Sequence, residues 1–151
     1  MLWNWATGGA TAVSQFGNPL ASDGLAFCIF DRSQATPSLL FRADVAGGGM
    51  CGTKPCWVAN RDKGFTFASK TGNANGVVGL KLMSGLAGKA KIQLKGQGVG
   101  LSKRRFGLPK LPLDVPLTVQ LQADTGACWQ ANFSSTGVDK NDTKQFSGKA
   151  D

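Results

Sequence analysis

Histidine, tyrosine and glutamate are absent from the 151 residues, and all nine acidic residues are aspartate. Without histidine the chain cannot build a Ser-His-Asp or Cys-His arrangement, and it lacks the imidazole that most often serves as general base or metal ligand. Asp, Lys and Cys remain as acid–base groups. A hydrolase using two aspartates is the one enzymatic alternative left. Yet Asp23, Asp31, Asp44, Asp62, Asp114, Asp124, Asp139 and Asp142 stand mostly beside Gly, Asn, Ser or Thr. Aspartate in that setting accepts hydrogen bonds from nearby backbone N–H groups and builds turns. The expectation is a non-catalytic protein with no cofactor and no metal. Long apolar runs are missing too: none approaches the ~18–20 residues a membrane helix needs, so the chain reads as not membrane-spanning.

What is present is charge of one sign, glycine and four cysteines. Seventeen Lys and Arg against nine Asp leave a net charge of +8, and 21 glycines are roughly twice the usual ~7% share. The length suits a single domain over residues 1–151. Cys28, Cys51, Cys56 and Cys128 lack the two short pairs of a tetrathiolate zinc site, so two disulfides are expected; sequence leaves three connectivities open, and Cys51–Cys56 with Cys28–Cys128 is the favoured one. Paired cysteines place the protein in an oxidising compartment. Residues 1–20 show no charged start or continuous apolar stretch, so a leader is expected to have been removed or the chain to be a fragment.

Period-two alternation dominates, with no convincing amphipathic helix. Leu25 to Phe30 is a continuous apolar run, and Pro37 to Val45 can be its hairpin partner. Phe65 and Phe67 alternate with Thr66 and Ala68, and Asn75-Gly76 is a strong hairpin turn. Val78, Leu80 and Leu82, then Ala90, Ile92 and Leu94, line one face; Lys81, Lys89, Lys91, Gln93 and Lys95 line the other. Leu117, Val119 and Leu121 alternate with polar residues, as do Trp129, Ala131 and Phe133. The prolines from 109 to 116 exclude a central strand and mark a crossover. The fold class is all-β, an antiparallel β-sandwich of jelly-roll or Greek-key type, with a barrel as the alternative.

Several segments, in order, carry a resemblance: Leu2-Trp3-Asn4-Trp5, Phe16-Gly17-Asn18-Pro19, Phe27-Cys28-Ile29-Phe30-Asp31 and Cys51 to Trp57. They continue with Ala87-Gly88-Lys89-Ala90-Lys91-Ile92, Leu111-Pro112-Leu113, Val119-Gln120-Leu121, Cys128-Trp129 and Phe146 to Asp151. Together they resemble an uncharacterised β-rich module that recurs, often C-terminally, in predicted secreted proteins of soil and sediment bacteria. The resemblance implies secretion, an all-β fold and a non-catalytic role, and brings no functional residue with it. Leu101 to Gly107 looks like an enlarged loop relative to that pattern.

Two non-catalytic functions follow. The leading one is a structural, self-associating extracellular module, a fibre or surface-layer subunit, whose terminal segments pair with a neighbouring copy through Trp3, Trp5 and Phe146. The alternative is a binding module for acidic glycan or another polyanion, carried by Lys81, Lys89, Lys91, Lys95, Lys103, Arg104 and Arg105. Nucleic acid is disfavoured as a partner, because aromatic residues do not interleave with the lysines. Gly96 to Gly100 lacks the third glycine opening a helix that a dinucleotide site requires, and reads as a β-turn.

Overall fold

The alternating runs become strands, and every pairing between them is antiparallel. A computed structural model describes residues 1–70, 75–96, 111–143 and 145–151. Lys103, Arg104 and Arg105, the 101–107 loop and the glycine-rich turn after Gly96 lie outside the described residues. In chain order the strands are β1 (Leu2–Ala6), β2 (Leu25–Asp31), β3 (Ser38–Val45), β4 (Met50–Cys51), β5 (Lys54–Pro55), β6 (Trp57–Ala59) and β7 (Gly64–Ala68). There follow β8 (Val77–Met83), β9 (Lys91–Gly96), β10 (Leu117–Ala123), β11 (Cys128–Phe133), β12 (Val138–Asn141) and β13 (Phe146–Gly148). One sheet has the order β1-β9-β8-β7-β6 and the other β11-β10-β2-β3, while β4-β5 and β12-β13 are separate hairpins. Neither main sheet closes on itself, so the architecture is a sandwich rather than a barrel.

The inward residues of both sheets meet in one apolar cluster. Leu80, Leu82, Ile92 and Leu94 from one sheet and Phe27, Leu117 and Leu121 from the other are fully buried. Burial of such a side chain contributes about 1.5–3 kcal/mol each. Glycine is required at position 64, where φ is +140° and a Cβ would lie 2.1 Å from the Leu82 carbonyl oxygen. A short 3₁₀ turn, Val13–Phe16, buries Phe16 in the core. There Phe16 stacks 5.0 Å from Trp129, whose indole donates to Thr11 Oγ1 at 3.1 Å.

Alternation misplaces one residue. Val77, not Val78, is buried, because a register shift between Val77 and Gly79 changes which side chain turns inward. The Asn75-Gly76 turn has both residues at positive φ, 49° and 91°, as its sequence predicts.

The cysteine expectation holds in one half. Cys51 and Cys56 are bonded across the β4-β5 hairpin, with Cα atoms 4.8 Å apart. Cys28 and Cys128 are free thiols, which corrects the second expected disulfide. Strand β10 runs between them, pairing Gln120 with Cys28 and Gln122 with Cys128. Two strand spacings amount to about 10 Å, beyond the ~7 Å limit for a disulfide's Cα atoms. Burial pushes both thiols above their ordinary pKa, so neither is a ready thiolate.

Candidate functional site

Charge is distributed unevenly along the chain. Residues 54–96 carry eight cations and one carboxylate, Asp62, for a net +7; the other residues carry nine cations and eight carboxylates, for a net +1. That basic stretch supplies four of the five strands of the five-stranded sheet. The register aligns Asn4, Gln93, Lys81, Thr66 and Val58 in one row across its outer face. Lys91 and Lys95 flank Gln93 on the same face, about 13 Å apart along β9. Lys89 is exposed in the β8-β9 connection, on the turn closed by its N–H to the Leu86 carbonyl at 2.8 Å. None of these four lysines has a carboxylate partner among the described residues, where the ion pairs are Arg42–Asp44 and Lys140–Asp142. The neutral residues are held in place: Gln93 donates to Asn4 Oδ1 at 2.8 Å, and Asn60 donates to Thr66 Oγ1 at 2.8 Å. Ser84 donates to the Lys63 carbonyl through both N–H and Oγ, at 2.8 and 3.0 Å, which ties the β6-β7 turn to the end of β8.

The three expected self-association anchors lie elsewhere. Trp3 is 6% exposed and packs 5.4 Å from Phe27, so its ring is covered within its own chain. Trp5 is half-buried on the same side of β1, lies over Gly8, and donates its indole N–H to the Gln130 carbonyl at 3.1 Å. That bond occupies an acceptor on the edge strand β11 and closes one seam of the sandwich. Phe146 meets Phe133 edge-on at 6.0 Å. Trp3 and Phe146 nevertheless share one feature. Both line a groove of about 700 Å³ between β1 and the C-terminal hairpin, with Phe27, Val119 and Phe133 also in its lining.

This groove follows a sheet edge. Met1 and Gly96 exchange hydrogen bonds in both directions, at 2.7 and 2.9 Å. In an antiparallel ladder such pairs alternate with non-bonded ones. Leu2 and Asn4, opposite Lys95 and Gln93, therefore turn their backbone N–H and C=O groups away from β9. The Trp3 indole nitrogen is the one buried side-chain N or O atom without a hydrogen-bond partner among the described residues. An unpaired buried donor costs about 1–3 kcal/mol.

Three of the aspartates behave as turn formers. Asp23 accepts from the Asn18 N–H at 2.7 Å and Asp142 from Gln145 at 2.9 Å, whereas Asp124 accepts from Gly24 at 2.6 Å across 100 residues of sequence and ties two distant segments together. Asp31 accepts from the Ser33 N–H at 2.7 Å, which holds its carboxyl below the usual range. Among the described residues no three Cys or Asp side chains come together in a metal-binding group. No described helix is long and apolar enough to cross a membrane. Comparison with protein-family models, with curated proteins and with solved structures finds no match to this chain.

Proposed function

We propose that this chain is an extracellular, non-catalytic module that binds acidic polysaccharide through the outer face of its five-stranded sheet. One observation carries the reading: nearly all of the net charge belongs to residues 54–96, and Lys81, Lys91 and Lys95 from that stretch share a face without a carboxylate. Such a surface attracts a polymer bearing repeated carboxylates or sulfates. The row holds no aromatic residue for base stacking, which favours polysaccharide over nucleic acid. The Cys51–Cys56 disulfide and the resemblance to secreted β-rich modules support an extracellular setting.

The test is calorimetric titration with polygalacturonate and dextran sulfate, with neutral dextran as control, over a salt series. Binding should weaken steeply with salt. Replacing Lys81, Lys91 and Lys95 together by Ala should weaken it at least about tenfold, equivalent to ~1.4 kcal/mol. Equal binding of neutral dextran, or an unchanged triple variant, overturns the reading.

A further inference from the structure

We infer that the groove along β1 is a second binding site, which takes an extended peptide segment of alternating apolar and acidic residues as an added strand. It does not rest on the polysaccharide reading, because its contacts are the backbone of β1 and the groove floor.

The backbone states what kind of ligand fits. Leu2 and Asn4 each present to the groove side of β1 an N–H and a C=O without a partner among the described residues, two residues apart on one strand. Alternating donors and acceptors at that repeat, about 7 Å, match another extended polypeptide backbone. The opposite wall is β13, which is already paired with β12. Phe27, Val119, Phe133 and Phe146 make the lining apolar, and the unpartnered indole N–H belongs to a wall residue, Trp3. These features suit a strand whose inward side chains are apolar and whose backbone brings carbonyl acceptors.

Charge decides the outward side chains. Among the described residues none that lines the groove carries a carboxylate side chain, whereas the cationic Lys149 does line it. A strand added to β1 turns every second side chain to the face that bears Lys91 and Lys95, with β1 as the only strand between. Two strand spacings, about 10 Å, are comparable to the screening length at physiological salt, so acidic side chains gain there and basic ones lose. A second copy of this chain, itself at +8, is the less suited occupant.

The experiment uses fluorescein-labelled synthetic octapeptides (Val-Asp)₄, (Val-Lys)₄ and (Pro-Asp)₄ in anisotropy titrations with the full chain. (Val-Asp)₄ should bind saturably and at least tenfold more tightly than either other peptide. Leu2→Pro should reduce that binding at least tenfold without moving the unfolding midpoint, because the N–H it removes does not bond to β9. In the unaltered chain, the Leu2 and Asn4 amides should become protected from hydrogen exchange when (Val-Asp)₄ is added. That measurement stands even if Leu2→Pro fails to fold. Equal binding of (Pro-Asp)₄ reduces the effect to charge alone and overturns the proposal, as does unchanged exchange at Leu2 and Asn4. Sedimentation that shows a dimer abolished by Leu2→Pro and untouched by peptide assigns the edge to a second copy and also overturns it.

Discussion

The two outer faces of the sandwich solve the same problem in opposite ways. On the four-stranded sheet the polar side chains satisfy one another. Thr118 donates to Asn132 at 2.9 Å, Gln120 to Gln130 at 2.8 Å, Gln122 to Gln120 at 2.7 Å and Gln130 to Asn132 at 3.1 Å. Its Arg42 is closed on Asp44 at 2.8 Å. On the five-stranded sheet, Lys81, Lys91 and Lys95 have no such partners among the described residues. A face whose donors and acceptors are internally matched offers little to a ligand. A face of unopposed cations keeps its field directed outward. Under the proposed function, the two sheets of one fold divide the work, one sealed and one receptive.

The comparison breaks most severely from behind, through the shared core. Trp3→Ala should cost about 3–5 kcal/mol in urea denaturation, because the ring is buried against Phe27. A loss near zero would return Trp3 to the role of an external anchor. Next in size is the triple lysine variant, which should lose at least about tenfold in polysaccharide binding while its stability changes by no more than ~0.5 kcal/mol per site. The reverse is expected on the other face. Gln120→Ala and Gln130→Ala should each cost roughly 0.5–1.5 kcal/mol of stability and leave polysaccharide binding intact. A double-mutant cycle should show the two to be coupled. The smallest effect concerns Asp31, whose carboxyl is held below its ordinary pKa by the Ser33 backbone N–H. Its contribution is present above the unfolded carboxylate range and is lost as pH falls through the depressed folded value. Asp31→Asn should therefore reduce stability slightly at neutral pH and flatten the acid limb of the denaturation profile.

Legibility in the sequence follows the range of the interaction. Lys81, Lys91 and Lys95 are readable as one cationic face because period two is a local property of the extended backbone. The aspartate turns are readable for the same reason: Asp31 finds its donor two residues away and Asp142 three. The disulfide Cys51–Cys56 spans only five residues, whereas the fate of Cys28 and Cys128 depends on which strand lies between them. The groove is half visible. The sequence singles out Trp3 and Phe146 together as anchors for a neighbouring copy, yet nothing local says that residues 2–4 and 145–150 face one another across a cleft. Val77 escaped because a bulge costs one residue of register and leaves no mark in composition.

The amino-acid sequence by itself determined the all-β class, most strand positions, the turn chemistry and the cationic outer face, since each depends on residues a few positions apart. Tertiary structure alone decided that Trp3 turns inward, that β10 separates two cysteines and that the β1 edge opens onto an apolar groove. Those outcomes depend on sheet order and register between segments distant in the chain, which no local pattern encodes.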